Sequence, residues 1–78
     1  MIMCIYEFIS RLSDVLYENG FYSVDINKED IKHKNEYLIR VICKKDNKKY
    51  EYNYILDKKL LDDITIQEMV YNLSMEVY

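Results

Sequence analysis

Ile5, Phe8, Ile9, Leu12, Val15 and Leu16 recur at intervals of three and four, the spacing of one apolar stripe on an α-helix. Glu7, Arg11, Asp14 and Glu18 fall on a second stripe, where they can face water. Asn19-Gly20 supplies a stop, because glycine readily takes the left-handed backbone that closes a helix. The pattern predicts a first helix over residues 3–19. The period then changes. Tyr22, Val24 and Ile26 alternate with Ser23 and Asp25, as in a half-buried strand. Residues 27–35 are polar and read as a loop with room for one helical turn.

Residues 36–45 and 48–56 read as two strands around Asp46-Asn47, and both turn residues tolerate positive φ, so a tight hairpin is expected. If Lys45 pairs with Lys48, Cys43 faces Tyr50, Val41 faces Tyr52, Ile39 faces Tyr54 and Tyr37 faces Leu56. All eight side chains then share one apolar or aromatic face. A slip of one residue sends a strand's side chains to the other face and mixes in Glu51 and Asn53, so the pattern selects the register. The opposite face carries Leu38, Arg40, Ile42 and Lys44 against Ile55, Asn53, Glu51 and Lys49, a mixed set expected to be partly exposed, with Arg40 pairing locally. A connector follows Leu56. Thr65-Ile66-Gln67-Glu68 then fits a capping box, and Ile66, Met69, Val70, Leu73 and Val77 form the stripe of a second helix over residues 65–77. The predicted order is α-β-β-β-α. This is a two-layer α+β domain in which both helices pack on one face of a three-stranded antiparallel sheet.

Composition narrows the class. The chain has 78 residues, half of them hydrophobic, and this is one core's worth, so residues 1–78 are read as a single domain. Two cysteines cannot build a disulfide framework, and no apolar run approaches the ~20 residues that span a bilayer. The opening segment lacks a basic start and a small-residue cleavage site. A cytoplasmic location with reduced thiols is expected. Lysine outnumbers arginine nine to two, Ile, Asn and Tyr are abundant, and Ala, Pro and Trp are absent. That bias points to an A/T-rich genome, as in low-GC bacteria and their phages.

Candidate chemistry is sparse. His33 sits among Lys32, Lys34 and Asn35 without a partner, and reads as a solvated loop residue. Cys4, Cys43 and His33 are too few for a zinc site. Asp57, Asp62 and Asp63 could be imagined around a cation, but acids before a helix N-terminus are favoured by its dipole. One glycine cannot build a phosphate loop. No catalytic residue, cofactor or metal is expected, and the chain is read as a binding protein, not an enzyme. Tyr50, Tyr52 and Tyr54 are placed inward by the register, leaving Tyr6, Tyr17, Tyr71 and Tyr78 as contact candidates.

Charge is segregated beneath the net value of -3. Residues 28–59 carry a local excess of +4, whereas 1–27 and 60–78 sum to -3 and -4. The helical layer is therefore acidic, and Glu7, Asp14, Glu18, Asp62, Asp63, Glu68 and Glu76 are its candidate partner-binding residues. The hairpin end is basic, and Lys44, Lys45, Lys48 and Lys49 are the alternative nucleic-acid-binding set.

The element order resembles that of double-stranded RNA-binding domains. Those carry a lysine cluster at the start of the last helix, where this chain has Asp62-Asp63-Ile64-Thr65. The chain also resembles, in size, element order, acidity and codon bias, the small acidic inhibitors encoded by phages and mobile elements, including anti-CRISPR proteins. This resemblance runs from Tyr6-Glu7-Phe8-Ile9 through Leu38-Ile39-Arg40-Val41 and Tyr50-Glu51-Tyr52 to the second helix. It implies a protein partner, such as a host CRISPR effector or another defence nuclease, whose nucleic-acid-binding surface is occluded by carboxylates standing in for phosphates. A small nucleic-acid-binding or regulatory module using the lysine hairpin is the alternative. A homo-oligomer burying the mixed sheet face around Leu38, Ile42 and Ile55 is a third reading.

Overall fold

The computed structural model describes residues 2–75, and the expectations placed on Glu76, Val77 and Tyr78 lie outside them. The elements are α1 (Ile5–Glu18), β1 (Tyr22–Ile31), a 3-10 turn (Lys32–Lys34), β2 (Glu36–Lys45), β3 (Lys48–Asp57), a second 3-10 turn (Lys58–Leu60) and α2 (Asp63–Met75). The strands form one antiparallel sheet in the order β1-β2-β3, with the helices packed against it. The α+β order α-β-β-β-α read from the sequence is the one observed.

α1 forms because its apolar stripe has a core to enter: Ile5, Phe8, Leu12 and Leu16 are all buried. Its end is closed by backbone chemistry. Gly20 adopts φ +88°, its N–H donates to the Tyr17 carbonyl (3.1 Å), and the Phe21 N–H reaches back to the Leu16 carbonyl (3.1 Å). This is the paired-bond closure that a left-handed residue permits, and buried Phe21 packs in the same core as Leu16. The helix C-terminus carries partial negative charge, and no basic residue lies in the last turn of α1. The cation comes instead from the sheet, where the Lys45 ammonium donates to the Asn19 carbonyl at 3.0 Å.

The β2–β3 register is the one the hydrophobic pattern selects. Lys45 pairs with Lys48, Cys43 with Tyr50, Val41 with Tyr52, Ile39 with Tyr54 and Tyr37 with Leu56. Asp46 and Asn47 both have positive φ, +54° and +64°, as a twist-matched two-residue turn requires. Arg40 Nε donates to Asn53 Oδ1 across the strands (3.3 Å).

The first strand differs from expectation in two ways. It continues through residues 27–31, which read as loop, so that Asn27 lies opposite Arg40, Glu29 opposite Leu38 and Ile31 opposite Glu36. Ladder hydrogen bonds need only backbone groups, so a charged edge strand can pair without any apolar alternation. The start of β1 is also bulged between Tyr22 and Asp25, with Ser23 at φ +52°. The bulge moves Tyr22 opposite Lys44 and onto the outer face, away from Val24 and Ile26, which pack against the core. The Tyr22 hydroxyl there accepts from the Asn47 N–H (3.2 Å) and braces the hairpin turn.

α2 starts two residues before its expected first residue. Asp62, not Thr65, is the N-cap: its carboxylate accepts from the Thr65 N–H at 2.8 Å, and its carbonyl accepts the first helical bond, from Ile66 (3.2 Å). Thr65 is third in that turn and is buried. Leu61, Ile66, Met69, Val70 and Leu73 complete the core against Ile39, Val41, Cys43 and Leu56 of the sheet.

Candidate functional site

The seven carboxylates expected to form an acidic surface separate into groups. Glu7, Asp14 and Glu18 lie on the exposed face of α1, and Asp63 and Glu68 are exposed on α2. Asp62 is half-buried and engaged as the cap, with hydrogen bonds from the Thr65 backbone and side chain holding its carboxyl below the usual carboxylate range. Arg11 lies between the two helices, 3.4 Å from Asp63 and 4.0 Å from Glu7. It lines a shallow depression of about 110 Å³ with Met3, Glu7 and Asp63. Glu76 lies outside the described residues. Asp14, Glu18 and Glu68 remain exposed with no ion pair among the described residues.

Asp14 and Glu18 are one helical turn apart, like charges at a spacing that repels. Glu18 is the last residue of α1, at the negative end of the helix dipole. Neither placement helps the helix. Glu68 faces the sheet's tyrosine edge closely enough that its charge, after burial itself, helps push the Tyr54 phenol up from its ordinary value.

The four hairpin lysines do not form one patch. Lys44 and Lys49 are opposite each other on the outer face. Lys45 is held inward, with its ammonium 4.9 Å from the centre of the Phe21 ring, while its cross-strand partner Lys48 is exposed. The outer face is covered by no helix among the described residues. It runs from Tyr22, Lys44 and Lys49 at the turn, through Asp25, Ile42 and Glu51, then Asn27, Arg40 and Asn53, to Glu29, Leu38 and Ile55. Ile55 is 53% exposed, and a depression of about 170 Å³ lies among Asn27, Lys28, Glu29, Leu38 and Arg40.

Reading 27–31 as loop hid two contacts. Lys28 and Asp30 share the inner side of β1 with Ile26. The Lys28 ammonium lies 5.4 Å from the Tyr6 ring centre, and Asp30 makes a 2.7 Å ion pair with Lys58, whose ammonium rests 4.8 Å from the Tyr37 ring. The Asp30 hydrogen bond raises the Lys58 ammonium above its usual value. Continuing the Val24/Ile26 alternation to Lys28 and Asp30 is the signal that would have found them.

His33 is exposed in the first 3-10 turn. Cys4 is exposed, and burial pushes the Cys43 thiol up. Among the described residues no group of three His, Cys, Asp or Glu side chains is placed to hold a metal ion, and no helix is long and apolar enough to cross a membrane. Tyr50, Tyr52 and Tyr54 lie on the helix side, partly buried, with the Tyr52 and Tyr54 rings 6.0 Å apart. Tyr6, Tyr17 and Tyr71 are exposed, and Tyr78 lies outside the described residues. The chain matches no protein-family model, and comparison with curated proteins and with solved structures returned no match.

Proposed function

We propose that the protein is a non-enzymatic inhibitor that occupies a nucleic-acid-binding surface of a partner protein, with Asp14, Glu18 and Glu68 standing where phosphates would stand. The observation that carries this reading is the Asp14/Glu18 pair. Two like charges one turn apart, one at the wrong end of the helix dipole, weaken α1 and form no ion pair among the described residues. A partner with a lysine- and arginine-lined groove would relieve that repulsion on binding, and its long-range attraction would speed encounter. The partner class in this reading is a host defence nuclease, a CRISPR effector in the first instance, in the cytosol of a low-GC bacterium.

The test is displacement of labelled duplex DNA from guide-loaded CRISPR effector nucleases. The wild-type chain is expected to displace DNA from its target enzyme, and the Asp14→Lys/Glu18→Lys/Glu68→Lys variant is expected to lose that activity while keeping its circular dichroism spectrum. Equal displacement by both chains would remove the acidic surface from the mechanism. Asp62 and Asp63 are left intact, because the first caps α2 and the second pairs with Arg11.

A second reading rests on Lys44 and Lys49, like charges facing each other on an uncovered sheet face beside Tyr22. These suit a nucleic-acid backbone, with Lys48 at the turn. A gel shift at low salt, abolished by Lys44→Glu/Lys49→Glu, would support it, and no salt-sensitive shift would remove it.

A further inference from the structure

The two edges of the sheet are built differently. β1 is guarded: it is bulged at Ser23, and it turns two charged residues, Lys28 and Asp30, toward the helix side. Bulges and inward charges are the devices that stop an edge from pairing with another chain. β3 has no bulge, and its one inward charge, Lys48, sits at the hairpin turn. Its pairing with β2 is unbroken from Lys48 to Asp57, and its inward positions past the turn are Tyr50, Tyr52, Tyr54 and Leu56. The three tyrosines are only partly buried, so their rims stay open to water.

Backbone geometry shows what that edge offers. In a two-residue hairpin the residues flanking the turn, here Lys45 and Lys48, exchange both hydrogen bonds, and every second pair does the same. The inward-bonded residues of β3 are therefore Lys48, Tyr50, Tyr52, Tyr54 and Leu56. The N–H and C=O groups of Lys49, Glu51, Asn53, Ile55 and Asp57 point away from the sheet, a ladder unpaired among the described residues.

We propose that two copies of this chain pair through β3, antiparallel about a two-fold axis at Asn53, to make one six-stranded sheet. In this register Asn53 lies opposite its own copy and exchanges both backbone bonds with it. Lys49 lies opposite Asp57, twice by symmetry, and Tyr52 opposite Tyr54, also twice. Tyr50 meets Leu56. Between Lys49 and Asp57 every inward pair is aromatic or apolar and the only directly opposed charges are of opposite sign; Lys48 falls opposite Lys58, past the end of β3. Neighbouring registers lose this match. A two-fold at Tyr54 sets Glu51 against Asp57, and one at Glu51 sets that carboxylate against itself. One at Tyr52 sets Lys48 against Leu56. Charge complementarity along the edge thus selects a second copy as the occupant and, among the registers that pair seven or more residues of β3, the one centred on Asn53. The inference uses none of Asp14, Glu18 and Glu68, so it stands or falls separately from the inhibitor reading. It also differs from association through the open face around Leu38, Ile42 and Ile55.

Light scattering coupled to size exclusion, and sedimentation equilibrium across a concentration series, test it. Wild-type protein is expected to shift from monomer to dimer as concentration rises. Lys49→Glu places two carboxylate pairs across the interface and is expected to weaken the dimer about tenfold. Asp57→Lys places two lysine pairs there and weakens it similarly. An equimolar mixture of the two variants restores both attractions and is expected to give a heterodimer of near wild-type affinity in native mass spectrometry. Asp57 also accepts from the Lys59 N–H (2.8 Å), so the fold of that variant is checked by circular dichroism. If it unfolds, Asn53→Pro, which removes an outward N–H at an edge position, takes its place and is expected to give monomer. A wild-type chain that stays monomeric at every concentration would overturn the proposal. So would a Lys49→Glu variant that dimerises as tightly as wild type, or a mixture no tighter than its parts. Weakening by Leu38→Lys or Ile55→Lys with none from Lys49→Glu would move the contact to the open face and overturn it equally.

Discussion

Replacing Glu18 by lysine should make the protein more stable, a sign opposite to that of most substitutions. Glu18 ends α1 without a cation in the last turn, and it stands one turn after Asp14. Removing a negative charge from the negative end of the dipole and supplying a positive one is worth about 0.3–1 kcal/mol at an exposed site. Converting an i,i+4 repulsion into an Asp-to-Lys attraction adds about 0.4–1 kcal/mol, counting both the loss and the gain. Lys45, whose ammonium already donates to the Asn19 carbonyl, opposes part of this gain. The net expectation is about 1 kcal/mol, which in a domain of this size raises Tm by about 4–8 °C. Glu18→Gln removes the repulsion without adding a cation and should recover about half. Thermal unfolding followed by circular dichroism at low ionic strength reads both, and in 1 M salt, where the screening length is about 3 Å, the gain should shrink toward zero. An unchanged or lowered Tm at low salt would refute the reasoning, because the carboxylate would then be supporting the fold. The functional reading would lose its main support with it.

Phe8→Ala empties a fully buried position in α1 and should cost about 3–5 kcal/mol, a large share of the roughly 4–12 kcal/mol expected for a domain of this length, which a urea titration would show. Iodoacetamide should alkylate exposed Cys4 while Cys43, buried and with its thiol pushed up, reacts only at the rate of unfolding; equal rates by mass spectrometry would contradict the packing. The lowered Asp62 carboxyl contributes stability that is present above the unfolded carboxylate pKa and is lost as pH falls through the folded value. Asp62→Asn should therefore flatten the acid limb of stability below about pH 5, measured as urea midpoints.

What could be read from the sequence was whatever a period encodes. The α1 stripe and the hairpin register were visible because each side chain's face follows from its spacing, and a wrong phase would have buried Glu51 or exposed Leu56. The extension of β1 was not visible, because its pairing from Asn27 to Ile31 is a backbone matter at a guarded edge. Nor was the bulge, since Ser23 at positive φ leaves no mark in a polar-apolar alternation. The cap of α2 was misplaced for a different reason. Asp62 and Thr65 are both good N-cap residues, three apart, and only the burial of Thr65 by the core decides between them.

Charge counting located the acidic layer but overstated its reach, for a reason that sequence alone does not carry. Arg11 and Asp63 are 52 positions apart and meet only because α1 and α2 pack together. Lys45 belongs to the basic hairpin by sequence and to the end of α1 by contact. Each such pairing matches a charge inside the fold, although Arg11 and Asp63 themselves stay exposed. What remains, Asp14 with Glu18 on one helix and Glu68 on the other, is charge that no contact among the described residues explains. That distinction makes the acidic reading testable: a carboxylate that serves the fold should weaken it when reversed, as Asp62 should, and one that serves a partner should not, as Glu18 should not.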